Sequence, residues 1–368
     1  MKIVHVIGAR PNFMKVAPVL GALRDRKNVA QTLVHTGQHY DYAMSGIFFD
    51  GLELPPVDVN LAVGSGSHGA QTAAMLTGIE NVLVAERPDC VLIYGDTNST
   101  LAGALAASKL SIPVVHVEAG LRSFNRRMPE EINRVVADHL SSILLCPSST
   151  AIENLRTEGI AAGVHLVGDV MLDVLQWARQ RLAEQPSKIL EQIGLREGQY
   201  VLATVHRSEN TDNRARLAAI LSALDTLHER VIFPAHPRTQ KIISEGGYTI
   251  GRHLHLINPV GYLDMVTLTQ AARLVLTDSG GLQKEAYWLG VPCVTMRDET
   301  EWVETVAAGW NVLTGASTNR IVEAARSFRR SDAHPALYGD GRAAQKCVDL
   351  LPGPIRSKDA GPRPVQML

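Results

Sequence analysis

Three carboxylates in the first 130 residues stand where a side chain could hand a proton to a bound molecule or take one from it. Asp96 lies in Tyr94-Gly95-Asp96-Thr97-Asn98-Ser99-Thr100, and Glu118 in His116-Val117-Glu118-Ala119-Gly120-Leu121-Arg122. Glu130 lies in Met128-Pro129-Glu130-Glu131-Ile132-Asn133-Arg134. The first two follow β-branched runs and the third opens a helical pattern. Acidic groups converging on one crevice can divide acid and base roles, because their environments push their pKa values apart. Structural alternatives stand beside this reading. Asp96 suits a helix N-cap, and Glu130 and Glu131 suit the positive end of a helix. Glu118 ends a strand and has no cap to make.

Cations and bare backbone accompany these acids. Gly8-Ala9-Arg10-Pro11-Asn12-Phe13-Met14-Lys15 reads as a tight turn into a helix start, where an anion is favoured, with Arg10 and Lys15 beside it. It is not the G-x-G-x-x-G fingerprint, so no nicotinamide cofactor is expected. In the second half, His206-Arg207 and His236-Pro237-Arg238 follow strand-like runs and suit phosphate, with a core histidine as the alternative. The most specific local feature is Thr277-Asp278-Ser279-Gly280-Gly281-Leu282-Gln283-Lys284-Glu285. Its bare N–H groups form a diphosphate cradle, and Glu285, one turn on, can accept from two ribose hydroxyls; a plain tight turn is the alternative. Tyr262 and Arg297 are further candidate substrate contacts. His35 and His39 are spaced as a zinc pair, but on a loop and without H-E-x-x-H, so no metal is expected.

The elements that must position these groups alternate. Strands are expected at 3–7, 32–35, 90–94, 114–117 and 143–146, with helices at 16–25, 70–85 and 99–110 between them. The pattern restarts at 200–205, 231–233, 255–257, 274–276 and 293–296. Repeated β-α-β units mean parallel sheets covered on both faces, so the fold class is α/β with two Rossmann-like doubly wound domains facing a cleft. Ligands of such sheets bind beyond the carboxyl ends of the strands, where the polar residues lie. The expected domains are 1–170, carrying the acids, and 171–351, with a last helix able to pack back on the first domain. A flexible tail follows at 352–368.

Bulk properties narrow the field. A chain of 368 residues exceeds one core's usual size, and 45% hydrophobic residues suit a globular protein. A net charge of −1 offers no field for a nucleic-acid backbone. No apolar run reaches the roughly 18–20 residues of a membrane span. The opening MKIVHVIGAR meets Arg10, Pro11 and Lys15 with no small-residue cleavage site. Four dispersed cysteines read as buried thiols in a reducing compartment, so a cytoplasmic protein is expected.

At this point the chain resembles the non-hydrolysing UDP-N-acetylglucosamine 2-epimerases, of glycosyltransferase-B-like architecture. The resemblance extends to about residue 350 and rests on GARP…K, TGQH, YGDTNST, HVEAGLRS, MPEEINR, TVHR, LTDSGGLQKEA and MRDETE in the family's order. It implies loss of the C2 proton with departure of UDP, a bound 2-acetamidoglucal, and re-addition of UDP with a proton returned to the opposite face. It also implies Asp96, Glu118 and Glu130 as acid/base groups, His206 assisting the diphosphate, and Arg10 and Lys15 stabilising charge. Arg134, Ser279, Gly280, Gly281 and Glu285 would hold the nucleotide, with Arg207, His236, Tyr262 and Arg297 around it. No cofactor is implied, and a homodimer is.

Two departures from the commonest family pattern stand out. The segment Ser123-Phe124-Asn125-Arg126-Arg127-Met128 is short, and the usual T-E-R-P-E is Thr300-Glu301-Trp302-Val303-Glu304. Both resemble the branch acting on UDP-2,3-diacetamido-2,3-dideoxyglucuronic acid, where Arg126 or Arg127 would pair with the sugar carboxylate. Gln38 and His39 match part of the family's second, activating site, whereas residues 64–69 lack its usual basic or glutamine residues, so substrate activation is not expected. A glycosyltransferase, a hydrolysing epimerase and a non-catalytic nucleotide-sugar sensor are the rival readings.

Overall fold

The computed structural model describes residues 1–24, 26–38 and 54–353. His39 and the tail from residue 354 lie outside the described residues. Two compact units emerge, Met1–Val170 with Gly341–Leu368, and Met171–Asp340.

The first unit carries a seven-stranded sheet, all of its pairings parallel, in the order β3-β2-β1-β4-β5-β6-β7. The strands are β1 (Lys2–Ile7), β2 (Ala30–His35), β3 (Val59–Asn60), β4 (Cys90–Tyr94), β5 (Val114–Val117), β6 (Ile143–Cys146) and β7 (Val164–Leu166). Side chains of the central strands alternate between two buried faces. Ile3, Ile7, Leu92 and Tyr94 pack with helix Arg10–Arg24, while Val4, Val6, Val91 and Ile93 pack with helices His68–Glu86 and Asn98–Lys109. Burial on both faces explains why these strands read as continuous apolar runs. The order reverses between β1 and β4, which makes their carboxyl ends the unit's switch point.

The second unit repeats the scheme with six parallel strands in the order β10-β9-β8-β11-β12-β13. They are β8 (Val201–Thr204), β9 (Val231–Pro234), β10 (Leu254–Ile257), β11 (Leu274–Thr277), β12 (Cys293–Thr295) and β13 (Asn311–Leu313). Its switch point lies between β8 and β11.

Two differences from the sequence reading have physical causes. Strands β3, β7 and β13 were not expected; at two or three residues, edge strands carry almost no periodic signal. Residues 341–351, assigned above to the second domain, belong to the first unit. Ala343, Ala344, Cys347 and Val348 make one apolar stripe on helix Ala343–Asp349 and join the cluster of Phe13, Val16, Val19 and Leu20. The cysteines agree with the reading: all four are buried and none forms a disulfide, and burial pushes the Cys90, Cys146 and Cys293 thiols up to about 12.

Candidate active site

In the first unit the chain leaves β1 through Gly8, where a Cβ would fall 2.0 Å from Thr36 Oγ1 and 2.1 Å from Ser99 Oγ. Only glycine fits that approach. Asn12 then ties the two switch-point turns together. Its Oδ1 accepts from the N–H of Gly8 (3.2 Å) and Ala9 (3.1 Å) and from Thr97 Oγ1 (3.2 Å), while its Nδ2 donates to Tyr94 O (2.7 Å). Arg10 opens the helix that follows.

Lys15 projects from that helix to Glu118, Nζ to Oε1 2.5 Å, with side chains 9% and 6% exposed. Burial alone would lower the Lys15 pKa, but Glu118 and then Asp96 outweigh it, and the net shift is upward from 10.5. The ammonium therefore persists at neutral pH. Glu118 holds φ +71°, a left-handed conformation that costs a non-glycine residue about 1–3 kcal/mol and marks functional sites.

Asp96 is no N-cap. Thr97 caps helix Asn98–Lys109, in a reciprocal box with Thr100, which frees the Asp96 carboxylate to meet Arg134 Nη2 at 2.5 Å. Asn133 Nδ2 fixes the same turn by donating to Asp96 O (2.9 Å). The two acids opening helix Pro129–Leu140 separate by role. Glu131 is buried and accepts from Ser123 N, Ser123 Oγ and Phe124 N, each at 2.9 Å, with Arg134 Nη1 at 3.2 Å. Glu130 is half-buried and makes no hydrogen bond or ion pair among the described residues. Lys15, Asp96, Glu118 and Arg134 thus form one linked cluster, with Glu130 on the helix that supplies Arg134.

A buried ionic network lies under these turns. His116 Nδ1 meets Asp138 Oδ1 at 2.7 Å, and His116 Nε2 meets Gly95 O at 2.7 Å. Both partners are acceptors, which suits a ring that donates from both nitrogens. Asp138 Oδ2 also accepts from Arg122 Nη1 (2.7 Å) and Gly120 N (3.1 Å), and Arg122 forks onto Glu158. Burial would raise the Asp138 carboxyl, yet His116 and Arg122 hold it below the usual carboxylate range. Gln38 Oε1 accepts from Ser99 N (3.2 Å) and Ser99 Oγ (2.8 Å), fixing the start of helix Asn98–Lys109.

In the second unit Asp278, fully buried after β11, organises the turn after β8. It accepts from His206 N, Arg207 N and Asn210 Nδ2, all at 3.1 Å. The His206 ring is about half exposed, with Nε2 3.7 Å from Asp278. Ser279 caps helix Gly280–Trp288 through Leu282 N (3.4 Å), leaving the N–H groups of Gly280 and Gly281 outside the helical ladder. Glu285, largely buried, accepts from Tyr262 Oη at 3.0 Å. His236 caps its own helix by accepting from Arg238 N through Nδ1 (3.1 Å). Arg297 does not join this group as an open cation. It is 1% exposed and forked onto Glu301 at 2.9 and 3.1 Å, both residues lying in the loop that follows β12.

Sequence reasoning passed over Asn12, Asp138, Glu131 as a clamp, and Asp278. Two had a signal: Asn12 sits inside the first switch-point turn, and Asp278 immediately follows a strand. Among the described residues no group of three or more His, Cys, Asp or Glu is arranged to hold a metal ion. No helix among them is long and apolar enough to cross a membrane.

Chemically, the first unit offers buried and half-buried acids beside cations, and the second offers backbone donors, a histidine and a carboxylate suited to a nucleotide. Comparison with known proteins agrees in kind. A sequence-family model described as UDP-N-acetylglucosamine 2-epimerase matches residues 21–352. A UDP-N-acetylglucosamine 2-epimerase homolog of Methanococcus maripaludis is 51% identical over 95% of this chain and 99% of its own. The UDP-2,3-diacetamido-2,3-dideoxy-D-glucuronate 2-epimerase of Pseudomonas aeruginosa is 49% identical over the same shares. The crystal structure of Methanocaldococcus jannaschii UDP-GlcNAc 2-epimerase in complex with UDP-GlcNAc and UDP aligns with a TM-score of 0.89 at 41% identity, covering 95% of this chain and 99% of that one. The chain belongs to the UDP-N-acetylglucosamine 2-epimerase family.

Proposed function

We propose that this protein is an isomerase that interconverts UDP-N-acetylglucosamine and UDP-N-acetylmannosamine by eliminating and re-adding UDP. The observation that carries the reading is the buried Lys15–Glu118 pair linked to Asp96–Arg134. A carboxylate takes the C2 proton, the C2–H electrons form the C1=C2 bond, and the C1–O bond breaks with its pair leaving on UDP. The reverse step returns a proton to C2 from the opposite face while a UDP oxygen re-forms the bond to C1. Two faces need two proton-handling groups, and Asp96, Glu118 and Glu130 are the candidates. Lys15 and Arg10 stabilise developing charge, and His206 assists the leaving diphosphate. Arg134, Ser279, Gly280, Gly281 and Glu285 hold the nucleotide. No step calls for a cofactor.

A second reading keeps the chemistry and changes the sugar to UDP-2,3-diacetamido-2,3-dideoxyglucuronate. Arg126 and Arg127 are both exposed on the segment leading into the Glu130 helix, where either can meet a sugar carboxylate. The Pseudomonas relative, which bears that substrate in its name, supports it. We infer further a cytoplasmic homodimer supplying nucleotide sugars for polysaccharide biosynthesis, which light scattering and localisation would test.

Proton NMR of the protein with UDP-N-acetylglucosamine in deuterated water tests the first reading. The expected result is growth of the manno epimer carrying deuterium at C2, with little free sugar. Turnover of the diacetamido uronate alone favours the second reading, and turnover of neither overturns both.

A further inference from the structure

Trp302 presents a donor to the start of helix Gly280–Trp288. Its side chain lies in a residue only 4% exposed, yet indole Nε1 has no hydrogen-bond partner among the described residues. A Cβ on Gly280 would sit 3.2 Å from that Nε1 and 3.8 Å from Arg207 Nη2. The space in front of Gly280 is therefore bordered by an indole N–H and a guanidinium, with the first-turn N–H groups of Gly280 and Gly281 beside it. Every group named is a donor, and none is an acceptor.

The ring is held rather than merely present. Lys284 Nζ lies 3.6 Å from the Trp302 ring centroid, and Tyr338 meets the indole edge-on at 5.4 Å and 89°. Trp302 N donates to Thr300 Oγ1 (3.1 Å), and Thr305 Oγ1 donates to Trp302 O (2.8 Å). A cation over an indole face draws density from the ring, which makes the N–H a stronger donor toward an anion.

We propose that Trp302 is a phosphate-binding residue: its indole N–H, polarised by Lys284, donates to a diphosphate oxygen of a nucleoside diphosphate seated at Gly280–Gly281. This inference rests on the nucleotide reading above and adds to it a residue that departs from the commonest family pattern. A neutral donor there recognises the diphosphate by direction, without adding a further formal charge to Arg207.

The test uses ¹⁵N-tryptophan-labelled protein, whose four tryptophans give a simple indole spectrum. Trp302→Phe assigns the resonance, and Phe substitutions at Trp177, Trp288 and Trp310 assign it by elimination if that variant does not fold. UDP is expected to move the Trp302 indole proton downfield, and uridine is not. Calorimetry is expected to show Trp302→Phe weakening UDP about tenfold, the scale of one hydrogen bond to a charged group, with uridine affinity unchanged. Lys284→Met is expected to weaken UDP by a smaller factor. An unmoved resonance at saturating UDP, or equal UDP affinity in Trp302→Phe, overturns the inference and leaves the function reading standing. Failure of the unmodified protein to bind UDP overturns both.

Discussion

Lys15 reaches Glu118 across strand β4, over Gly95. Lys15 follows β1 and Glu118 follows β5, and β4 lies between those strands in the sheet. The 2.5 Å pair closes over the end of β4 because Gly95 has no side chain there. A Cβ on Gly95 would sit 2.6 Å from Lys15 Nζ, and the residue holds φ +61° besides. The glycine before Asp96 is thus fixed by the cation behind it, and a turn legible as a motif acquires its physical cause.

Lys15→Met keeps most of the apolar stem and takes the ammonium away from the buried Glu118 carboxylate. Breaking a buried pair from one side costs about 3–5 kcal/mol, and turnover is expected to fall with it. The Lys15 pKa is raised in the folded state, so its contribution is full below 10.5 and is lost as pH rises through the folded value. Urea unfolding of both proteins from neutral pH to beyond 10.5 checks this: the gap between them is expected to narrow at the alkaline end. A gap that does not change with pH would count against a raised Lys15.

Glu130 and Glu131 are neighbours with opposite expected phenotypes. Glu130→Gln removes a carboxylate that has no hydrogen-bond or ion-pair partner among the described residues, so stability is expected to stay within about 0.5 kcal/mol, while turnover drops on the order of a hundredfold or more. Glu131→Gln loosens the clamp on Ser123 and Phe124 and is expected to cost about 1–3 kcal/mol. Thermal unfolding and turnover of the two variants, measured side by side, decide it. Equal stability loss in both would remove the distinction.

That distinction also shows where sequence reading ends. The central strands were legible because burial on both faces leaves an unbroken apolar run, as in Cys90–Tyr94. The strand-end position of Asp96 and Glu118 followed from the same alternation. What could not be read was which of two adjacent acids turns inward, since helical periodicity gives a direction only relative to a known core. Arg297 illustrates the same limit: its pairing with Glu301 depends on the loop path after β12. Thr97 rather than Asp96 caps its helix, a choice between two adjacent residues that both suit capping.

Asp138 is expected to set the acid limit of the first unit. Its folded pKa is depressed below 3.8, so its contribution is present above that value and is lost as pH falls through the folded one. Asp138→Asn keeps the shape but removes the charge facing His116 and Arg122, at a cost of about 3 kcal/mol near neutrality. Acid titration followed by circular dichroism is expected to show a flatter acid limb in the variant. An acid limb of unchanged steepness would place the sensitivity elsewhere.

Asp278 is the second unit's counterpart, a buried carboxylate that shapes a catalytic candidate without being one. It accepts from the backbone of His206 and Arg207 and from Asn210, so the turn that presents the imidazole is drawn against it. Asp278→Asn leaves one acceptor oxygen and turns an NH2 group toward those donors, which costs about 1–3 kcal/mol. If His206 assists the departing diphosphate, a displaced imidazole lowers kcat on the order of tenfold to a hundredfold, whereas KM for the UDP-sugar moves little because the Ser279–Gly281 turn has its own cap. His206→Asn alone and the double variant complete the cycle. Strong non-additivity in kcat would show that Asp278 acts through His206; additive losses would make Asp278 a stabiliser of the fold with no part in presenting the ring.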